Sequence, residues 1–110
     1  MDEWLAEEVE NQVRFREFNE WIQASNDRMG NHREIEEYIC ECSDGLCRQP
    51  ILLTRAEYES VRSRGAQFAI AINHENPEID HVIAHNDRFA VGEKLPGNGG
   101  RRALATDPRR

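Results

Sequence analysis

No stretch of this 110-residue chain approaches the roughly 18 to 20 consecutive apolar residues needed to cross a bilayer. Residues 1–20 also lack a charged segment followed by an apolar run, so no secretory signal is read and a cytoplasmic protein is expected. Positive charge is scarce: 14 Lys and Arg stand against 21 Asp and Glu, a net charge of −7. Four of the cations, Arg101, Arg102, Arg109 and Arg110, fall in residues 95–110, where only Asp107 opposes them. That segment carries +3, which leaves −10 for the remainder (−7 less +3). A body so acidic repels phosphate backbones and argues against nucleic acid as the main partner. The signatures of common catalytic classes are missing too. There is no H-E-x-x-H helix, no phosphate-cradling glycine loop ahead of a helix and no defensible Ser-His-Asp set, so no enzyme is expected. Apolar residues make up only 38% of one domain-sized chain, a composition that gains from a stabilising staple.

Cysteine is absent everywhere except in YICECSDGLCRQP, residues 38–50, which holds Cys40, Cys42 and Cys47. Clustered thiols in a reducing compartment more often bind metal than form disulfides. Tyr38, Cys40 and Cys42 alternate with Ile39 and Glu41, a strand period that projects Cys40 and Cys42 from one face. Bridging that pair directly would be strained, whereas two thiolates about 3.5 to 4 Å apart fit around a tetrahedral ion. Ser43–Leu46 reads as a turn that returns Cys47 as a third ligand of a zinc knuckle. A closed structural site wants a fourth. His74 is the leading candidate, because it stands where a strand turns into the HENPE loop, with Glu75 beside it as a group that could orient the imidazole. His81, His85, His32, a carboxylate such as Asp44, or water in an open position remain as alternatives.

The rest of the chain reads as an α+β domain. Residues 3–29 contain neither Gly nor Pro and form a long amphipathic helix, stopped by Gly30-Asn31. Its stripe of Phe15, Phe18, Ile22, Ser25 and Met29 is expected to pack on the domain's own sheet, with a helix–helix homodimer as the second reading. Residues 1–13 are read as a frayed extension, in which Trp4 and the Glu-rich run from Glu7 to Glu10 are a docking segment or simply solvated. The knuckle hairpin follows, then a short helix started by a Thr54/Glu57 capping box and closed by Gly65. Three further antiparallel-type strands come next. QFAIAIN, apolar on both faces, is expected to be central, and IDHVIAH and RFAVGEK make a hairpin around Asn86-Asp87. The domain proper is placed at residues 14–95, and residues 96–110 are expected to be a disordered basic tail.

FREFNEWI at 15–22, CECSDGLC at 40–47, LTRAEYESVR at 53–62, HENP at 74–77 and VGEK at 91–94 together resemble a family of short, uncharacterised bacterial proteins. Its members carry an FRxxNE helix, a CxCx4C knuckle, an LTxxEY helix start, a His-Glu-x-Pro loop and a closing VxEK strand. The resemblance covers about residues 14 to 94. The chain departs from the pattern at Ile72-Asn73, where the family has Pro-Gly, and at Gly92, where it has an apolar residue. The resemblance implies Cys40, Cys42, Cys47 and His74 as a four-ligand set and brings no established activity. The functional expectation is a small cytosolic zinc-stabilised protein-interaction module, regulatory in character, with structural zinc, an unidentified protein partner and no membrane. A redox-responsive thiol/zinc switch stands next. A zinc-finger-type nucleic-acid binder using the basic tail and a metalloenzyme using Glu75 as base are lesser readings.

Overall fold

The computed structural model describes residues 3–109, with side chains from residue 5 onward. The fold is α+β. Helix α1 (Glu3–Met29) leads into an antiparallel hairpin of β1 (Ile35–Ile39) and β2 (Pro50–Thr54), with Ile35 opposite Thr54 and Ile39 opposite Pro50. Helix α2 (Arg55–Arg62) follows, then β3 (Gln67–Ile70), β4 (Asp80–His85) and β5 (Ala90–Lys94), which form an antiparallel sheet in the order β3-β5-β4. Helix α3 (Asn98–Ala105) closes the chain. The central strand is thus β5, not β3. All four residues of β3 are buried nonetheless, because its outer edge is covered by the segment after β1: the Glu41 N–H donates to the Ala69 carbonyl at 2.8 Å.

Local chemistry explains most boundaries. Gly30, at φ +68°, adopts the left-handed conformation that ends α1. The Thr54 hydroxyl accepts the Glu57 N–H and the Glu57 carboxylate accepts the Thr54 N–H, the reciprocal cap that starts α2. Gly65 does not cap α2, which ends at Ser63. It serves close packing instead: a Cβ there would lie 2.7 Å from the Asp107 carboxylate and 3.0 Å from Leu104.

Helix α1 buries only part of the stripe that hydrophobicity indicates: Phe15 is buried, but the rest of the stripe is not. Phe18, Trp21 and Met29 are 47%, 58% and 68% exposed. The buried residues are Val9, Gln12, Val13, Phe15, Arg16, Asn19 and Gln23, and around Phe15 they follow the three- and four-residue spacing of one helical face. Residues 5–13 are therefore part of the core rather than a frayed extension, with Val9 and Val13 packed on Ile79. Residues 1 and 2 and the side chain of Trp4 lie outside the described residues. The polar members are buried because α1 lies against backbone that needs partners. The Asn19 amide donates to the Ile39 carbonyl at 2.8 Å and accepts the Ile39 N–H at 2.9 Å, much as a neighbouring strand would. Arg16, fully buried, donates to the carbonyls of Gly65 and Ala103 at 2.6 and 2.8 Å and lies 4.6 Å from the centroid of the Phe68 ring.

Those bonds to Arg16 help to order the C-terminal segment. Residues 96–109 are not a disordered tail: α3 packs with Ala103 fully buried, Asp107 pairs with the buried Arg62, and Arg109 reaches Glu20, Glu59 and Gln23. The basic residues that looked like a free arm are, at Arg102 and Arg109, partners of acidic residues on α1 and α2.

Two outcomes follow for stability. Asn19→Ala leaves both the Ile39 N–H and its carbonyl without partners and should cost about 2–4 kcal/mol. Phe18→Ala removes a half-exposed ring and should stay within about 0.5 kcal/mol. Urea unfolding of the two variants checks the order, which is the reverse of their hydrophobicity. Arg88 grips Glu57 with two hydrogen bonds, at 2.9 and 2.7 Å, and that grip, more than the helix cap, draws the carboxyl down to about 2. A depressed carboxyl stabilises the fold above its ordinary value of 4.5 and loses that contribution as pH falls towards 2. The stability gap between wild type and Glu57→Gln should therefore be full at pH 5 and above and shrink through that acid window in pH-dependent unfolding curves.

Candidate metal centre

Strand β1 ends at Ile39, but the pairing runs one step further, with the Cys40 N–H donating to the Gln49 carbonyl at 2.8 Å. The strand-like alternation continues through this extension. Glu41 turns inward, fully buried, and Cys40 and Cys42 turn to the opposite side. The Asp44 carboxylate accepts the Leu46 N–H at 3.0 Å, and its carbonyl accepts the Cys47 N–H at 3.0 Å. That turn brings Cys47 back beside the first two cysteines. Asp44 is thus a turn former rather than a donor to the cluster.

The fourth residue arrives from the β3–β4 connection. Ala71, just past β3, donates its N–H to Cys40 Sγ at 3.1 Å, and its carbonyl accepts the His74 N–H at 3.1 Å. The turn between them holds Asn73 at φ +69°. Hydrogen bonding from the fourth to the first residue with a positive φ at the third is the pattern of a type II turn, which favours Pro-Gly at its centre. Ile72-Asn73 meets the same demand because Asn tolerates the left-handed region better than other side-chain-bearing residues. His74 Nδ1 then stands 3.5 Å from Cys40 Sγ and 3.7 Å from Cys47 Sγ. The donor atoms of Cys40, Cys42, Cys47 and His74 all lie within 4.8 Å of one another, so together they could hold a metal ion. Cys40 and Cys42 are buried, Cys47 is half-buried, His74 is exposed, and all three cysteines are free. Ligation through Nδ1 places the imidazole proton on the outward Nε2.

The other histidines do not join this cluster. His32 is exposed, 3.9 Å from the Asp27 carboxylate. His81 and His85 do not share a face, because β4 is bulged between Val82 and Ala84. His81 lies opposite Glu93 and His85 opposite Ala90, three residues apart on β5, which sets the two rings on opposite sides of the sheet. Glu75 makes no hydrogen bond to the His74 ring: its Oε2 is buried without a partner, and the residue lines a separate hollow with Val82 and His85.

Sulfur electrostatics favour a cation. A hydrogen bond from Cys40 draws the Cys42 thiol down to about 5, against the opposing effect of burial. The same sharing with Cys42, then burial, pushes Cys40 up, and burial pushes Cys47 up. Ionising all three sulfurs together calls for positive charge at their centre. Cys40, Cys42 and Cys47 and the leading candidate for a fourth, His74, are the residues that come together. Glu41 lies between two of these cysteines in sequence but turns its carboxylate away from them. The carboxylate instead accepts from Asn19 and Tyr58, each at 2.8 Å, and from the Ala69 N–H at 2.9 Å, on the far side of the strand. Compared with protein families, curated proteins and solved structures, the chain matches none.

The turn at Asn73 gives a test of how the fourth donor is placed. Asn73→Gly should hold metal as well as wild type. Asn73→Val, forced to positive φ, should lose about 1–3 kcal/mol in the strained turn and release metal to a chelator more readily. Competition against a chromophoric chelator measures both.

Proposed function

We propose that the chain is a small zinc-stabilised protein-interaction module in which zinc is structural, bound by Cys40, Cys42, Cys47 and His74. The observation that carries the reading is the convergence of three thiols and one imidazole from two separate loops. Zinc–sulfur bonds of about 2.3 Å and zinc–nitrogen bonds of about 2.0 Å in a tetrahedron put sulfur and nitrogen about 3.5 Å apart. The spacings of 3.5 and 3.7 Å between His74 Nδ1 and two of the sulfurs agree with that. Soft thiolates in a tetrahedral set select zinc over hard cations such as magnesium or calcium.

Four protein donors fill the coordination positions of a structural zinc and leave none for a substrate, which favours binding over catalysis. The half-exposed Phe18 and Trp21 on α1 are the surface such a module offers a partner. No helix among the described residues is long and apolar enough to cross a membrane. A second reading, a redox-released zinc, is favoured by the placement of Cys47 and His74 towards solvent.

The test is native mass spectrometry of protein prepared without added metal, beside His74→Ala. Wild type should carry one zinc and unfold on chelation, and the variant should lose or weaken it. Wild type that folds metal-free sinks the proposal. Zinc retained through mild peroxide supports the structural reading, and zinc released by it supports the redox reading.

A further inference from the structure

We infer that the hollow between α1 and the cysteine loop is a docking groove for a short acidic peptide segment carrying one apolar anchor side chain. The inference rests on the interaction-module reading and names the partner's chemistry.

The hollow measures 440 Å³, room for one large side chain and its flanking backbone. Its lining comes from α1, from Ile39 at the end of β1 and from the cysteine loop. Phe15, Phe18 and Arg14 belong to α1, while Gly45 and Arg48 belong to the loop that carries the cysteines. The apolar surface continues past the hollow, since Trp21 packs against Phe18 with ring centroids 5.8 Å apart. Phe15 is already buried as the floor of the hollow, while the exposed Phe18 and Trp21 would gain burial from a partner.

Charge selects the occupant. Among the described residues Arg55, Arg62, Arg88, Arg102 and Arg109 each meet a carboxylate. Arg14 and Arg48, at the rim of the groove, form no ion pair with a described residue, on a body that is otherwise acidic. Both are held in place. Arg14 donates to the Asn11 amide oxygen at 2.5 Å, and Asn11 in turn donates to the Ser43 carbonyl at 2.8 Å. One amino group of Arg48 donates to the carbonyls of Gly45 and Cys47, at 3.0 and 2.7 Å, and its guanidinium lies 5.4 Å from the Phe15 ring centroid. The remaining edge of that guanidinium is open to a carboxylate in the two-pronged geometry that arginine favours. Two such cations lining an apolar hollow fit a segment that carries carboxylates beside an apolar side chain. A two-fold contact between copies of the chain would instead bring this arginine pair against its own image, a like-charge contact.

The groove also depends on the metal loop. Asn11 packs so closely on Gly45 that a Cβ there would meet its amide at 3.1 Å. Gly45 lies between the cysteines and Arg48 directly follows Cys47, so a metal that closes this loop would hold both in place and peptide binding should require it.

The experiment uses the full-length, metal-loaded chain to select from a random peptide library displayed on phage. Expected are peptides that place one aromatic or aliphatic residue beside Asp or Glu residues. Their affinity should fall about tenfold in Phe18→Ser and in Arg14→Glu, both surface changes whose folding is checked by circular dichroism, and should disappear on chelation. No enriched peptide, enrichment of neutral or basic ones, or affinities unmoved by both substitutions would overturn the groove. A wild-type dimer in sedimentation equilibrium that Phe18→Ser dissolves would overturn it in favour of a second copy. Protein that folds without zinc yet still selects acidic peptides refutes the zinc-dependent module and leaves the groove, whereas zinc protein that selects none refutes the groove alone.

Discussion

Glu41 has to take its carboxylate completely out of water, and the cost of doing so is met only if several donors are waiting for it. Burial pushes its pKa up, while the amide of Asn19, the N–H of Ala69 and the hydroxyl of Tyr58 work against that rise. Each donor belongs to a different element: Asn19 to α1, Ala69 to β3 and Tyr58 to α2. The carboxylate is therefore satisfied only when those elements are in register with the end of β1. A second carboxylate repeats the arrangement beside it, where Asp80 on β4 meets Lys94 of β5 at 2.6 Å and Gln12 of α1 at 3.1 Å, and Gln12 also reaches the Glu41 carbonyl. Half-satisfied networks of this kind cost more than an apolar core, so they disfavour alternative packings.

This explains which parts of the fold could be read from the chain. The Thr54/Glu57 cap and the Asn86 turn, whose side chain accepts the N–H groups of Arg88 and Phe89, are local. Their partners sit within three residues, and the residue types announce them. The three cysteines of the cluster that could hold a metal were legible because thiols are few and their chemistry is narrow, whereas His74 had rivals along the chain. The buried face of α1 was not. A helix packed on an apolar sheet would bury Phe18, but one packed on strand ends and loops must supply hydrogen bonds, and nothing in a hydrophobic pattern distinguishes the two. Helix α3 was missed for a related reason. Its order rests on bonds from Arg16 and Arg62, 87 and 45 residues away along the chain. Arginines opposed by one aspartate read as a tail unless their partners in α1 and α2 are known.

The same segment that buries Glu41 presents the cysteines, and strand alternation is what lets one short stretch serve both. With Glu41 turned to one side of the strand, Cys40 and Cys42 turn together to the other, so the internal network helps to place two of the four candidate donors. Ala71 completes the link. Its backbone bonds join Cys40 Sγ to the turn that carries His74, just beyond the Ala69 whose N–H and carbonyl are both bonded to Glu41. Donors on both loops are thus referred to one strand edge. A metal bound there would clamp that edge from outside while the Glu41 network clamps it from inside. Part of the ordering entropy that a metal loop must overcome is then already met by the packed core, which favours a site of fixed geometry.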